Sequence, residues 1–367
     1  MKLKIGVLYG GRSGEHDVSL CSAASVVSEL DPGKYDVVAI GIDRTGRWYV
    51  QDNPEIVEDR DFGKILRLEK KGNWCVNHFE DNNKLVLHNS DDGRKVSVDV
   101  VFPAVHGTYC EDGTLQGLLE LAMVPYVGAD SIGSSIGIDK DVAKRLLRDG
   151  GIPVVPWETV SAEEWARERP RIIEKIEKEY PLPIFVKPAR TGSSVGVKKV
   201  NKREELPWAV DFAFGYDSKI LIEKGVNARE IECSVLGNGD PKASVLGEVK
   251  PRHEFYSYES KYIDPDGAEL VIPAPLEAGL AGSIRDAAVR GYLMLCCGGM
   301  ARVDFFLDKD TGAFYLNEIN TLPGFTSISM YPKLWAQSGI EYRALLDILI
   351  ELALERHRTR LNVRTDR

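Results

Sequence analysis

The stretch ARVDFFLDKDTGAFYLNEIN, residues 301–320, contains two runs of alternating apolar and polar residues on either side of a turn-rich segment. This pattern predicts a β-hairpin. Because strand side chains alternate between faces, a loop of residues 309–313 places Asp304 opposite Glu318. Facing carboxylates repel each other unless a cation lies between them, so the hairpin predicts a metal site. The alternative is a solvated hairpin in which Arg302 is the counter-ion.

The residues after the second carboxylate extend this predicted site. Asn320 lies two positions beyond Glu318 and therefore on the same face of the strand. Oxygen atoms from Asp, Glu and Asn form a ligand set that suits Mg²⁺. The next segment, TLPGFTSIS at residues 321–329, is rich in turn-forming residues, hydroxyl groups and backbone N–H groups. Such a segment favours binding of an anion or a carboxylate.

Length and charge limit the class of protein. At 367 residues the chain exceeds what one hydrophobic core usually serves, so we expect two or three domains. The net charge of −9 argues against general binding to nucleic acid. The sequence has no run of about 18 apolar residues, and its N-terminal residues enter a strand without a signal-peptide segment. We therefore expect a cytoplasmic protein with no membrane partner.

Cysteines and C-terminal arginines predict no additional site. The six cysteines are scattered without a C-x-x-C pair, which favours reduced thiols over a zinc site or a disulfide framework. The basic residues Arg356, Arg358 and Arg360 are expected to form the solvated end of a helix.

Hydrophobic patterning predicts an α/β protein of three domains. The N-terminal domain, residues 1–130, begins with a buried strand, a glycine turn and a helix, and residues 98–105 read as a further strand. Its residues 51–95 show little pattern. Residues 131–226 predict a compact α+β unit, and residues 227–367 contain the hairpin and a closing helix.

A second glycine-rich segment, KPARTGSSVG at residues 187–196, lies between predicted strands. It contains G-x-S-x-G, which is typical of a serine hydrolase with Ser194 as the nucleophile. In such hydrolases the nucleophilic serine is followed by a helix. Here residues 195–200 are β-branched and alternate in polarity, which predicts the return strand of a hairpin. The segment therefore favours a loop that covers phosphates, with Lys187 and Arg190 at its base. A plain turn is the other alternative.

Taken together, these motifs resemble the ATP-grasp superfamily. Three further segments resemble the D-alanine–D-alanine ligase family more narrowly: GGRSGEHDVS at residues 10–19, HGTYCEDGTLQG at 106–117 and FTSISM at 325–330. The resemblance covers residues 3 to about 350 and is weakest at 51–95. It implies an N-terminal Rossmann-like (preATP-grasp) domain followed by a two-domain ATP-grasp unit.

The resemblance also implies an activity. ATP phosphorylates the carboxylate of one D-alanine, and the amine of a second D-alanine attacks the acyl phosphate to form D-alanyl-D-alanine for peptidoglycan precursor synthesis. The implied cofactors are ATP and Mg²⁺, with two Mg²⁺ ions and with Mn²⁺ able to substitute. The implied assembly is a homodimer. Catalysis of this kind depends mainly on positioning and charge neutralisation.

Site residues follow from the same resemblance, position by position. The implied metal ligands are Asp304, Glu318 and Asn320. The implied nucleotide contacts are Lys140, Lys187, Ser194, Glu223, Lys224, Val226, Glu230, Lys261 and Asn317. The implied substrate and catalytic groups are Glu15 for the first D-alanine's ammonium, His106 beside that substrate, Arg302 and the Gly324 N–H as the oxyanion hole, and Ser329 with the Met330 backbone for the second carboxylate.

Without the resemblance, several of these residues have simpler interpretations. Glu15 suits the start of a helix, where the helix dipole favours an acid. His106 follows an apolar strand and suits a hydrogen-bonded core position. Glu223 and Glu230 suit ordinary exposed acids.

The segment FYSYESKY, residues 255–262, resembles the mobile lid of the D-alanine-specific ligases. The resemblance implies that Tyr262 bonds Ser193 and Glu15, while Lys261 reaches the phosphates. D-lactate ligases carry a lid with a histidine, which this segment lacks, so we predict D-alanine as the second substrate. The alternative is that these tyrosines only pack a loop.

Overall fold

The structure is a computed structural model, and it describes residues 2–77, 83–252 and 267–364. A mostly parallel sheet near the N-terminus is followed by two antiparallel sheets, so the predicted mixed α/β class is confirmed. The N-terminal elements are β1 (Leu3–Gly10), α1 (His16–Glu29), β2 (Tyr35–Ile42), β3 (Trp48–Val50), β4 (Ile56–Asp59), β5 (Gly63–Leu66), β6 (Trp74–Val76), β7 (Leu85–Asn89), β8 (Lys95–Val98), β9 (Val100–Pro103) and α2 (Thr114–Leu121).

The glycine turn after β1 places the start of α1 at the carboxyl edge of the first sheet. β1 lies between β2 and β9 and is parallel to both, which explains its continuous apolar sequence. Gly10 has a positive φ of 86°, and a side chain there would lie 2.2 Å from the carbonyl oxygen of Ile42. Only glycine fits this close approach. The turn therefore delivers Glu15, the residue before α1, to the sheet edge.

The predicted strand 98–105 is wrong as a single element. Lys95–Val98 pairs with β7 in a small sheet, whereas Val100–Pro103 pairs with β1. The chain changes sheets at Asp99, because Asp99 bonds Lys4 through both its backbone N–H and its side chain. Residues 51–95 also contain short strands that the sequence did not indicate, in a two-stranded sheet and a three-stranded sheet.

The central sheet is antiparallel, with the order β10-β13-β11-β12. The central elements are α3 (Ser131–Ile138), α4 (Lys140–Asp149), β10 (Trp157–Ser161), α5 (Ala162–Glu179), β11 (Ile184–Pro188), β12 (Lys198–Val200), α6 (Leu206–Ala213) and β13 (Lys219–Lys224). A capping box between Ser161 and Glu164 begins α5. The core of this sheet consists of residues between 160 and 222.

The C-terminal sheet is also antiparallel, with the order β16-β15-β14-β17-β18. Its elements and the helices around it are β14 (Ala228–Leu236), β15 (Lys242–Pro251), β16 (Ala268–Val271), α7 (Ala278–Met294), β17 (Met300–Asp308), β18 (Phe314–Asn320), α8 (Met330–Gln337) and α9 (Tyr342–Leu361). β17 and β18 form the predicted hairpin.

A β-bulge in this hairpin brings the two predicted carboxylates opposite each other. Near the turn, Leu307 pairs with Phe314, which is one residue out of the predicted register. Asn317 is an extra, bulged residue in β18, and beyond it the predicted register is restored, so that Asp304 pairs with Glu318. The predicted pairing of the two carboxylates is therefore confirmed, although the turn is one residue tighter than predicted, since Asp308 N–H donates to the carbonyl oxygen of Ala313.

The C-terminal helix packs on the first sheet, and its arginines are not simply solvated. Arg356 donates to the carbonyl oxygens of Gly128 and Tyr126, and Arg360 donates to Glu120 at 2.9 Å. The expectation of a solvated basic helix end is wrong for Arg356, which is half-buried, whereas Arg358 and Arg360 are exposed. All six cysteine thiols are free, as predicted. Across the described ranges, the helices are too short or too polar to cross a membrane.

Candidate active site

A cavity of about 470 Å³ lies where the first sheet, the glycine-rich loop and the C-terminal sheet meet. Nine of the sequence-predicted site residues line it: Glu15, Lys140, Ser193, Arg302, Glu318, Asn320, Gly324, Ser329 and Met330. The structure therefore gathers residues from positions 15 to 330 around one space.

Three carboxylates form a row across neighbouring strands at one side of this cavity. Asp304 on β17 is paired with Glu318 on β18 and with Glu232 on β14. Arg302 donates to both oxygens of Asp304, at 2.8 and 2.7 Å, and its Nε lies 3.0 Å from Glu232. Lys140 Nζ lies 3.5 Å from Glu318. Among the described residues, two cations therefore face three carboxylates, which leaves one negative charge in the row.

The ligand types in this row suit a divalent cation. Asp304, Glu318 and Asn320 offer only oxygen atoms, and all three lie on one face of the hairpin. The side chains of Arg302 and Asp304 are only 19% and 14% exposed, so their ion pair is not the solvated contact of the alternative interpretation. Glu232 is a member of the row that the sequence analysis missed, because only strand pairing reveals it.

The glycine-rich loop closes against the N-terminal domain. β11 and β12 pair antiparallel around it, so the strand–turn–helix context of a serine hydrolase is absent from residues 184–200. Ser193 donates to Glu15, so the two residues that the resemblance implies as partners of Tyr262 lie together. Lys140 Nζ donates to the carbonyl oxygen of Thr191 at 2.7 Å. Lys140 therefore lies between the loop and Glu318.

Glu15 is buried between two glycines. A Cβ atom at Gly107 would lie 2.6 Å from Glu15 Oε2, and a Cβ atom at Gly192 would lie 3.1 Å from the same oxygen. The Glu15 backbone N–H donates to Ser13 Oγ at 3.0 Å, and its carboxylate forms no helix cap. The simpler interpretation of Glu15 as a helix-start acid therefore accounts for its position but not for its contacts.

A buried ion cluster lies beneath the glycine-rich loop. Glu223 is 2% exposed, and its two oxygens lie 3.0 Å from Lys144 and 2.5 Å from Lys187. Burial alone raises the pKa of Glu223, but the two ammonium groups outweigh it and lower the pKa to about 2. Burial lowers the pKa of Lys144 despite the attraction of Glu223. The interpretation of Glu223 as an exposed acid is wrong.

The other implied nucleotide residues occupy neighbouring positions. Lys224 ends β13 and is exposed, Val226 lies in the link to β14, and Glu230 on β14 is half-buried. Ser194 has a positive φ of 59° at the tip of the loop, and Asn317 is the bulged residue of the hairpin. Lys261 and Tyr262 lie outside the described residues.

The segment after β18 is folded tightly against α1 and α8. Leu322 N–H donates to Asn320 Oδ1 at 3.2 Å, and Thr326 N–H donates to Ser329 Oγ at 3.0 Å. Gly324 has no room for a side chain, because a Cβ atom would lie 2.7 Å from Ser329 Oγ. Met330 is the first residue of α8, so backbone N–H groups at the helix start lie beside the cavity.

His106 is buried and does not line the cavity. Its Nδ1 atom lies 3.1 Å from the carbonyl oxygen of Leu322 and 3.5 Å from Glu111, and its Nε2 lies 2.9 Å from Ser22 Oγ. Burial lowers the pKa of His106, but hydrogen bonding to Glu111 outweighs it and raises the pKa. The predicted contact with substrate stays a prediction.

Comparison with known families agrees with the geometry. Residues 4–129 match the family model described as D-ala D-ala ligase N-terminus, and residues 146–351 match D-ala D-ala ligase C-terminus. The chain belongs to the D-alanine–D-alanine ligase family. The family assignment made from the motifs is confirmed.

Individual members of the D-alanine–D-alanine ligase family match along nearly their whole length. The ligase of Natranaerobius thermophilus is 47% identical over 100% of this chain and 98% of its own. Ligase A of Escherichia coli K12 is 46% identical over 97% of both chains. Among solved structures, the Coxiella burnetii ligase matches with a TM-score of 0.79 and 37% identity over 98% of this chain and 97% of its own. The VanG D-Ala:D-Ser ligase from Enterococcus faecalis matches with a TM-score of 0.80 and 33% identity over 96% of this chain and 100% of its own.

Proposed function

We propose that this protein joins two D-alanines to D-alanyl-D-alanine at the expense of ATP, through a D-alanyl phosphate, for peptidoglycan precursor synthesis. The observation that carries the proposal is that Glu318, which is paired with Asp304, lines the same cavity as Glu15, which is bonded to Ser193. Charges that suit a phosphoryl donor and a carboxylate that suits an ammonium group therefore share one cavity.

The nucleotide side of the site needs positive charge and a divalent ion. Bound Mg²⁺, held by Asp304, Glu318 and Asn320, supplies Lewis-acid charge neutralisation of the phosphates. We propose two such ions, with Mn²⁺ able to replace them. Lys140 and Lys187 supply further positive charge, and the serines of the glycine-rich loop supply donors. Glu223, Lys224, Val226, Glu230 and Asn317 complete the nucleotide contacts in this proposal, together with Lys261.

The amino-acid side of the site holds both substrates in the reacting geometry. Glu15 binds the ammonium group of the first D-alanine, with His106 behind it. Arg302 and the Gly324 N–H stabilise the oxyanion of the tetrahedral intermediate. Ser329 and the Met330 backbone bind the carboxylate of the second D-alanine. Tyr262 completes the lid over Ser193 and Glu15.

Phosphate release is the direct test of this activity. We expect release only when ATP, Mg²⁺ and D-alanine are all present, with D-alanyl-D-alanine as the product. In mixtures with D-lactate, we expect D-alanyl-D-alanine to exceed the mixed product by about ten-fold or more, since the lid segment lacks the histidine of D-lactate ligases. A mixture with D-serine tests the same choice of second substrate. Mass spectrometry of the products measures this ratio. Dominant D-alanyl-D-serine would contradict the proposed second substrate, and phosphate release without D-alanine would contradict the activity.

Gly107→Ala tests the assignment of Glu15 to the first D-alanine. The new methyl group would lie 2.6 Å from Glu15 Oε2 on a backbone with a φ of +77°, so the carboxylate must move. We expect the KM for the first D-alanine to rise by about ten-fold, with the KM for ATP within about two-fold of the wild type. Steady-state kinetics measures both constants. Gly151→Ala is the matched control, because Gly151 has a φ of +74° and open space around it. An equal rise in both KM values would contradict the assignment.

We also propose the domain division near residues 130 and 226, a homodimer and a cytoplasmic location. Each of the three larger sheets lies within one of the proposed domains. Exposed apolar side chains on four helices, Leu121, Ile132, Leu146 and Leu293, offer a surface for a second copy. ATP, the proposed co-substrate, is a cytoplasmic metabolite.

A further inference from the structure

The turn that carries Gly324 is held at both ends by two side chains from the N-terminal part of the chain. Nδ1 of His106 lies 3.1 Å from the carbonyl oxygen of Leu322, and Nε2 lies 2.9 Å from Ser22 Oγ. Phe325 N–H donates to the same Ser22 oxygen at 3.3 Å. These contacts close a ring of hydrogen bonds around Gly324.

The donors and acceptors in this ring are consistent with one another. The carbonyl oxygen of Leu322 can only accept, so Nδ1 of His106 carries the proton. In neutral His106, Nε2 then accepts from the Ser22 hydroxyl, whose lone pair accepts from Phe325 N–H. If Glu111 keeps His106 protonated, Nε2 donates to Ser22 instead, and the ring stays closed. Ser22 is 0% exposed and His106 is 4% exposed, so water does not compete for these bonds.

Further contacts fix the same turn and leave one donor for the cavity. The carbonyl oxygen of Phe325 accepts from the Tyr342 hydroxyl at 2.7 Å. The Phe325 ring packs against the rings of Phe102, Tyr331 and Tyr342. In the described part of the chain, the backbone N–H of Gly324 has no protein acceptor, although Gly324 lines the cavity. Pro323 has no N–H, and the N–H groups of Leu322, Phe325 and Thr326 each donate to a side chain, so the rigidity of the turn sets the direction of the Gly324 donor.

We propose that Ser22, through its bridge to His106, is a positioning residue that fixes the Gly324 N–H for the condensation step. This inference rests on the proposed function. In that step, the amine nitrogen of the second D-alanine bonds to the acyl carbon of D-alanyl phosphate, and the carbonyl electron pair moves to oxygen. The oxyanion lies against Gly324 and Arg302. Its collapse restores the carbonyl, breaks the bond to phosphate and releases the nitrogen's proton with the departing phosphate.

The inference separates the two chemical steps of the reaction. Formation of the acyl phosphate builds no oxyanion at the acyl carbon, so it does not need the Gly324 donor. Condensation does need it, and removal of one such donor typically slows a reaction by about 10² to 10³-fold. A displaced donor should cost less, about ten-fold or more.

Isotope exchange in Ser22→Ala tests this separation. ATP labelled with ¹⁸O at the bridge between its β and γ phosphorus atoms scrambles the label whenever acyl phosphate forms and reverts. Dipeptide formation, measured in the same reaction, reports condensation. We expect the ratio of scrambling to dipeptide formation to rise about ten-fold or more in Ser22→Ala. Ser22→Thr keeps the hydroxyl and should keep the ratio within about two-fold of the wild type.

Ser338→Ala is the matched control for loss of a hydroxyl. Ser338 Oγ also accepts one backbone N–H, from Val245 at 2.9 Å, and donates to one carbonyl oxygen, of Leu334 at 2.7 Å. It lies outside the proposed site, so the ratio should be unchanged. A ratio of scrambling to dipeptide formation in Ser22→Ala that equals the wild-type ratio would overturn the positioning role, whether the two rates are unchanged or fall by the same factor. Should Ser22→Ala fail to fold, His106→Ala tests the same ring from its other side. Wild-type protein that releases no phosphate with ATP and D-alanine would instead overturn the proposed function.

Discussion

Replacing Glu318 by Gln is expected to lower the rate of phosphate release by about 1,000-fold or more while leaving the fold intact. Glu318 faces Asp304 across the hairpin, and the pair is the charged part of the proposed Mg²⁺ site. Loss of an outer-shell partner of a metal ligand already costs about 10 to 100-fold, and loss of a ligand's charge should cost more. The fold should tolerate the change, because one of two facing like charges is removed.

Two measurements separate a metal defect from a folding defect. Thermal unfolding without ligands should give a midpoint equal to or above that of the wild type. Mg²⁺ with ADP should raise the midpoint of the wild type but not that of Glu318→Gln, since stabilisation follows binding to the native state. Asp310→Asn is the control, because it removes one charge from the exposed turn of the same hairpin. Near-normal turnover of Glu318→Gln would remove the metal assignment.

The hairpin shows how far a sequence pattern predicts geometry. Alternation and turn residues were sufficient to predict the strands and the facing carboxylates. They could not predict the bulge at Asn317, which leaves both Leu316 and Ile319 buried at a spacing of three residues. A bulge depends on how two strands fit together, and a single strand's sequence does not contain that information.

Charged residues were the hardest to place from sequence. A glutamate in a strand and a lysine in a helix usually read as exposed, and nothing adjacent in the sequence connects Glu223 to Lys144. Arg356 was similarly assigned to solvent, although it bonds backbone carbonyls more than 200 residues away. Such contacts arise when helices dock on sheets. The family resemblance implied a nucleotide contact for Glu223, but only the structure shows that Glu223 is buried between two cations.

The strands β4 and β5 were missed for a different reason. β4 and β5 form an isolated pair whose side chains are mostly half-buried or exposed, so no hydrophobic face had to appear in the sequence. The glycine-rich loop was easier to predict. Its β-branched residues after Ser194 excluded a following helix, and the observed antiparallel pairing of β11 with β12 agrees.

Glu223→Gln is expected to destabilise the protein by about 3 to 5 kcal/mol, the cost typical of breaking a buried ion pair by removing one partner. The substitution leaves Lys144 and Lys187 facing each other without a counter-charge, and Lys144 is only 1% exposed. Denaturant unfolding at pH 7 measures the loss. Glu248→Gln is the matched control, because Glu248 is also buried but pairs with Arg229, whose side chain is 26% exposed and can return to water. Its cost should be clearly smaller.

A second substitution identifies the cause of this loss. Glu223→Gln with Lys144→Met removes one of the two facing cations, so the double variant should recover a large part of the stability lost in Glu223→Gln. The single variant should also become more stable as pH rises from 7 towards 10. Burial already lowers the pKa of Lys144, and loss of Glu223 removes the charge that raises it, so the pKa of Lys144 falls further below its unfolded-state value and the unfolded state binds more protons over this range. If Glu223→Gln unfolds with wild-type free energy and no such pH dependence, the cluster does not stabilise the fold in the way that its burial indicates.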